Sequence, residues 1–293
     1  MLYVKSFKMY KRIRQIGNDS AGLVYLVKCK LGKKYVLKIY NLKLEECRMQ
    51  FNSEAGFIVR GLHHPNIVEY YSTWTEGYEG FILMEYAEFG DVFGLSDTKT
   101  KVVKILQDVI SALAFLHQHK IVHRDVKPEN ILVFKDNVFK LADFGYATSC
   151  HSKLTKNCGT LEYMCPQRIN GEVYTESTDI FSLGALTLDL LCRKTPFEDC
   201  EDKIIIDNVL ECRYHIPEYI DSNWTAIIEN ILRKKPADRL SLREIQDHME
   251  KMSTLFVVGT MEEIKLTKTL WNLQQPTALT QVLHNERFYD DFK

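Results

Sequence analysis

The sequence predicts an α+β fold in two lobes: a small β-rich N-terminal lobe with one helix, and a larger, mainly α-helical C-terminal lobe. Two patterns and one break carry this prediction. β-formers dominate the first third, with Ile13, Ile16, Leu23, Tyr25 and Val27 flanking a break at Gly17 and Gly22. From residue 98 the pattern turns helical, and Val102, Val103, Ile105, Leu106, Val109, Ile110, Leu113, Phe115 and Leu116 follow a 3.6-residue period. Between the two, Gly90 and Gly94 weaken regular structure in a hinge over 85–94.

The elements follow in order. Residues 35–40 form an apolar run after a turn at 31–34, and a polar, helix-prone segment over 44–62 stops at His63, His64 and Pro65. Two further strands are expected at 67–74 and 81–86. Helices then continue to about residue 251, interrupted by a polar, turn-rich stretch over 120–178. The expected layout is an N-terminal segment 1–9, one folded domain 10–252 with lobes 10–84 and 95–252, and an extension 253–293.

Composition excludes several function classes. Lys plus Arg is 38 and Asp plus Glu is 39, a net charge of −1, so nucleic acid is not an expected partner. Apolar residues make up 45%, which argues against a disordered chain. The eight cysteines contain no C-x-x-C pair, so no zinc knuckle or redox motif is visible. No basic segment followed by an apolar one opens the chain, and the apolar stretch 180–192 is too short to span a bilayer. An intracellular protein with reduced thiols and no membrane contact is the expectation. Lys5, Lys8, Lys11, Arg12 and Arg14 cluster near the start; a solvated strand face explains them more simply than an acidic docking partner.

The chemistry is concentrated in Val122-His123-Arg124-Asp125-Val126-Lys127-Pro128-Glu129-Asn130 and, further on, Asp143-Phe144-Gly145. In order and spacing these resemble the H-R-D-x-K-x-x-N catalytic loop and the D-F-G metal motif of eukaryotic protein kinases. The resemblance runs from about residue 10 to 252 and implies the bilobal kinase fold, with ATP and Mg²⁺ as cofactors and protein substrates. Phosphoryl transfer needs two oxygens in line and compensation for several negative charges. A carboxylate beside the incoming hydroxyl orients it and accepts its proton, the role assigned to Asp125. Asp143 and Asn130 are hard oxygen ligands suited to Mg²⁺. Lys127 places a point charge near the transferring group, and its pairing with Asp125 resembles the serine/threonine branch. His123 is expected to pack and hydrogen-bond within the lobe.

Lys38, in Tyr35-Val36-Leu37-Lys38, matches the V-A-I-K lysine that contacts the α- and β-phosphates. Its carboxylate partner is expected from the following helix; Glu54 is the choice, with Glu45 and Glu46 as alternatives. The phosphate loop, from Gly17 to Gly22 and Val24, carries Asp19 where the pattern places its second glycine, which predicts weaker nucleotide binding. The resemblance implies that Val36 and Val24 lie over the adenine, that Met84 closes its rear, and that backbone groups of Glu85 and Ala87 meet its edge. Ile16 and Leu132 complete the nucleotide set. Asp91 meets the ribose or, with Glu129, a basic residue before the acceptor hydroxyl.

Downstream, Cys158-Gly159-Thr160-Leu161-Glu162-Tyr163-Met164-Cys165-Pro166-Gln167 resembles the end of an activation segment. It implies that Thr160 bonds Asp125 and Lys127, and that Gln167, standing for a glutamate, meets Arg239 without cancelling its charge. Asp179 would tie down the catalytic-loop backbone. By the same resemblance Arg124 would receive an activation-loop phosphate, with Thr155 and then Ser152 as candidate acceptors; a loop that orders without phosphate is the alternative. An activating partner protein is also implied. Within the superfamily, 85–87 and 158–163 resemble an Aurora-type kinase, 35–38 and 66–70 a NIMA-related kinase, and 288–292 is similar to the tail of cyclic-nucleotide-dependent kinases. Two other readings stay open: a pseudokinase scaffold, suggested by Asp19 and Gln167, and a small-molecule kinase of related fold.

Overall fold

The computed structural model describes residues 7–19 (for Phe7 and Asp19 the backbone alone), 22–95, 101–149 and 159–253. The chain divides into two compact units, Met1–Gln246 and Asp247–Lys293, and the elements that build the site lie in the first. Thr155, Ser152, Cys158 and the tail segment 288–292 lie outside the described residues.

Five antiparallel strands make the N-terminal sheet: β1 (Tyr10–Asp19), β2 (Gly22–Cys29), β3 (Lys34–Asn41), β4 (Tyr70–Glu76) and β5 (Glu79–Met84), in the order β1-β2-β3-β5-β4. β3 is central and buried on both faces, which explains its continuous apolar run. Tyr35, Leu37 and Ile39 pack with Tyr10, Val27, Trp74, Phe81 and Leu83 into one apolar cluster. The alternate residues Val36, Lys38 and Tyr40 therefore share the other face. The basic run is a solvated strand face at Lys11, Arg12 and Arg14, all exposed on β1.

Helix α1 (Glu45–Val59) is polar, yet it buries Cys47, Gln50, Phe51, Glu54 and Phe57 at helical spacing. It stops short of the expected residue 62 because Gly61, at φ 63°, takes the left-handed backbone just past the end and donates its N–H to Ile58 O at 3.0 Å. β4 likewise starts at Tyr70 and not at 67. Asn66 and Val68 bond the backbone of Leu141 in the other lobe instead (2.8 and 3.0 Å).

In the C-terminal lobe, α2 (Val102–Gln118) buries Val102, Ile105, Leu106, Val109, Ile110, Leu113 and Leu116, the periodic set apart from Val103 and Phe115. The stretch 120–178, expected as turns, holds two small antiparallel pairs: β6 (Ile121–Val122) with β9 (Thr148–Ser149), and β7 (Ile131–Phe134) with β8 (Val138–Leu141). Strands of two to four residues are too short to show a period. Helices α3 (Pro166–Ile169), α4 (Ser177–Cys192), α5 (Asp202–Leu210) and α6 (Ser222–Ile231) follow. Among the described residues no helix is long and apolar enough to cross a membrane.

Candidate active site

A cleft of about 410 Å³ opens between sheet, hinge and β7–β8 hairpin, a volume suited to a small ligand. Of the nucleotide set expected from sequence, Ile16, Gly17, Val24, Val36, Lys38, Glu54, Met84, Ala87, Asp91 and Leu132 line it, together with Asn130 and Asp143. Two residues do not. Gly22 is held by β3: a Cβ there would stand 1.9 Å from the Ile39 carbonyl oxygen, so close strand approach is what requires glycine. The Glu85 side chain accepts from Lys140 Nζ (2.7 Å) and the Glu69 N–H (2.7 Å), and its own N–H donates to Glu69 O (2.9 Å). Tyr86 takes its place on the wall. Asp91 lines the cleft with one carboxylate oxygen already accepting the Gly94 N–H at 2.9 Å.

Lys38 from β3 reaches across to the D-F-G segment. Its Nζ lies 3.2 Å from Asp143 Oδ1 and 3.7 Å from Glu54 Oε2, so Glu54, not Glu45 or Glu46, is the helix carboxylate that meets it. Glu54 is fully buried and accepts hydrogen bonds from Tyr40 Oη and from Tyr70 Oη, the latter at 2.8 Å. Burial raises the Glu54 carboxyl above the usual range, and Lys38 and the two hydroxyls only partly reverse this. For Asp143 burial acts in the same direction, but the Lys38 charge and the Gly145 N–H (3.1 Å) outweigh it and hold the carboxyl below its ordinary value. Asp143 sits at φ 63°, a left-handed backbone. Next to it Phe144 is fully buried and stacks on Phe57 of α1 with ring centres 3.9 Å apart. Ser53 Oγ donates to Phe144 O (2.8 Å) and also bonds Ala147 O, joining α1 to this segment.

The catalytic-loop residues form a second hydrogen-bonded group. Asp125 Oδ1 accepts from the Thr160 N–H (3.0 Å) and Oγ1 (3.2 Å); Oδ2 accepts from Asn130 Nδ2 (2.8 Å) and lies 3.2 Å from Lys127 Nζ. Lys127 also donates to Thr160 Oγ1 at 2.6 Å. Asn130 lines the cleft as Asp143 does, and its Nδ2 also donates to the Asp125 carbonyl at 2.8 Å. Beneath them the buried Asp179 carboxylate accepts the N–H groups of His123 (2.9 Å) and Arg124 (2.8 Å) and contacts His117 Nε2 at 2.9 Å. Burial opposes its ionisation, but these partners prevail and its pKa falls below the ordinary value. His123 is buried, with Nε2 3.0 Å from Ala142 O.

Arg124 is engaged on one side: Nε donates to Tyr146 O at 2.5 Å and Nη1 to Tyr174 Oη at 3.2 Å. Arg239 does meet Gln167 (2.6 Å), but its charge is also met by the carbonyls of Arg233 (2.9 Å), Ser177 (2.9 Å) and Lys234 (3.2 Å). These neutral acceptors share the charge without cancelling it, as expected, and burial holds the Arg239 pKa below its ordinary value. Sequence reading missed Tyr40, Tyr70 and Ser53. Tyr40 follows Lys38 by two residues on the same strand face, a usable signal, whereas nothing local marks Tyr70 or Ser53.

The comparisons agree with this geometry. A family model described as protein kinase domain matches residues 10–249. An Aurora kinase of Eremothecium gossypii is 30% identical over 245 residues, covering 80% of this chain and 66% of that protein. The chain thus spans about two thirds of that relative's length. An Aurora kinase of Encephalitozoon cuniculi is 33% identical over 248 residues, covering 80% of this chain and 91% of that protein. A human SNF-related serine/threonine-protein kinase is 32% identical over 230 residues, 74% of this chain and 30% of that protein. Of the subfamily expectations, the two Aurora kinases support the Aurora-like one. From motif, fold and match together, the chain belongs to the protein kinase family and within it is similar to Aurora kinases.

Proposed function

We propose that this protein transfers the γ-phosphoryl group of ATP to serine or threonine hydroxyls of protein substrates, in the manner of an Aurora-like, cell-cycle kinase. The observation that carries the reading is the 3.2 Å approach of Lys38 to Asp143 on the wall of the cleft. Lys38 would hold the α- and β-phosphates, Val36 and Leu132 would enclose the adenine, and the Asp125 carboxylate would orient the acceptor hydroxyl and take its proton. Lys127 places a positive charge beside that carboxylate, and Thr160 fixes both.

The residues suit Mg²⁺. Both Asn130 hydrogen bonds to Asp125 use Nδ2, which orients the amide with its oxygen as the ligand atom, and Asp143 is held ionised. Among the described residues no cluster of three His, Cys, Asp or Glu side chains could cage a metal alone. Two protein oxygens fit an ion whose other ligands are phosphate and water. When bound, Mg²⁺ would neutralise the phosphate charge that develops during transfer. Asp91 and Glu129 on the cleft wall favour substrates with a basic residue before the acceptor.

The experiment is an assay of the purified protein with Mg²⁺, radiolabelled ATP and a basic serine peptide, beside Asp143→Ala. Label on the peptide that disappears in the variant supports the reading. Nucleotide binding without transfer in the wild type would point to a scaffold instead.

A further inference from the structure

Glu54 has closer partners than the lysine it is expected to serve. Lys38 Nζ stands 3.7 Å from its carboxylate and nearer, 3.2 Å, to Asp143. The Tyr40 hydroxyl bonds Oε2, and the Tyr70 hydroxyl bonds Oε1 at 2.8 Å. Each carboxylate oxygen thus holds one phenol, one from β3 and one from β4, so the sheet grips the helix residue from two strands. Both phenols are themselves fixed: the Tyr40 ring lies 5.6 Å from Phe51 of α1, and the Tyr70 ring 6.1 Å from Phe57 and 5.8 Å from Phe144.

We propose that Tyr40 and Tyr70 are positioning residues whose hydroxyls clamp the Glu54 carboxylate, keeping α1 seated on the sheet and Glu54 in place beside Lys38. A fully buried carboxylate whose one cation stands 3.7 Å away is only partly compensated. The two phenols add two charge-assisted hydrogen bonds and hold the carboxylate where Lys38 meets it. Burial, and then the Glu54 charge, raise the pKa of both tyrosines, so both stay donors. The role given to Lys38 rests on the phosphotransfer reading; the grip on Glu54 does not.

The test is hydrogen–deuterium exchange of residues 45–59 together with steady-state transfer kinetics. It uses the full chain as wild type, Tyr40→Phe, Tyr70→Phe and the double variant, and repeats the exchange in a Glu54→Leu background. The double variant should speed α1 exchange and lower kcat by about tenfold each, the worth of a lost hydrogen bond to a charge, with little change in KM for ATP. In the Glu54→Leu background the same substitutions should be neutral or slow the exchange, because each then removes a buried hydroxyl without an acceptor. Equal acceleration in both backgrounds would mean the tyrosines act through packing and would overturn the proposal, as would a double variant indistinguishable from wild type. A wild type that transfers no phosphate, with the exchange cycle as expected, would remove the kinase reading and leave the clamp standing. If Tyr40→Phe fails to fold, Tyr70→Phe carries the same cycle.

Discussion

Lys38 is the residue on which the charge balance of the cleft turns. It lies 3.2 Å from Asp143, and its ring contact with Tyr40 places Nζ 5.0 Å from that aromatic centre. Lys38→Met is expected to lower kcat by about 10²–10³-fold, the usual effect of removing one preorganised donor to a developing charge. The fold should persist, because Glu54 retains two tyrosine partners. Initial rates and a melting curve on the same sample decide this, and near-wild-type turnover would exclude the assigned role. Asp179 makes a second residue-scale prediction. Its folded pKa is depressed, so the stability it contributes is complete above its ordinary value of 3.8 and is lost as the pH falls through the folded value below that. Urea unfolding from pH 6 to pH 2 should show this acid limb in the wild type and a flatter one in Asp179→Asn. Equal limbs would show that the carboxylate is not a source of acid sensitivity. These positions were legible beforehand because each motif residue carries its chemistry in its own side chain.

Among the elements, α1 decides whether the cleft is assembled. It carries Glu54 toward the sheet and Ser53 toward the D-F-G segment, where Ser53 bonds the carbonyls of Phe144 and Ala147. Ser53→Ala removes one donor shared by two acceptors and should cost about 1 kcal/mol of stability. It should also reduce kcat, because one of the ties that hold Phe144 and the neighbouring Asp143 to α1 is then lost. Denaturant midpoints and transfer rates measure both, and a variant unchanged in each would show the hydroxyl to be idle. The helix itself was legible from its polar, turn-bounded sequence, but its end was not: Gly61 past the terminus, and not Pro65, sets the stop. The β7–β8 hairpin was not legible for a different reason. It turns at Asp136 and Asn137, at φ 61° and 55°, residue types that tolerate the left-handed backbone, but its strands are only four residues long.

Across the molecule, the two lobes are joined by more than the hinge backbone. Val92 donates to Ile131 O at 2.9 Å and Val133 to Gly90 O at 2.8 Å, so the hinge is stitched to β7, which carries Leu132 at the cleft. Lobes and hinge were legible from the switch in hydrophobic period at Gly90 and Gly94, and the nucleotide set from the motifs. What sequence order hides is long-range pairing. The partners of Glu54 lie on two strands, those of Arg239 are mainly backbone carbonyls, and the Glu85 carboxylate is taken by Lys140 from β8. Those contacts exist only once the chain has folded, and no spacing rule announces them.

The most direct measurement is a crystal structure of the protein with Mg²⁺ and a non-hydrolysable ATP analogue. The account predicts the adenine between Val36 and Leu132, with the triphosphate between Lys38 on one side and Asp143 and Asn130 on the other. An analogue seated elsewhere on the molecule, with Lys38 and Asp143 still paired and the cleft open, would contradict it.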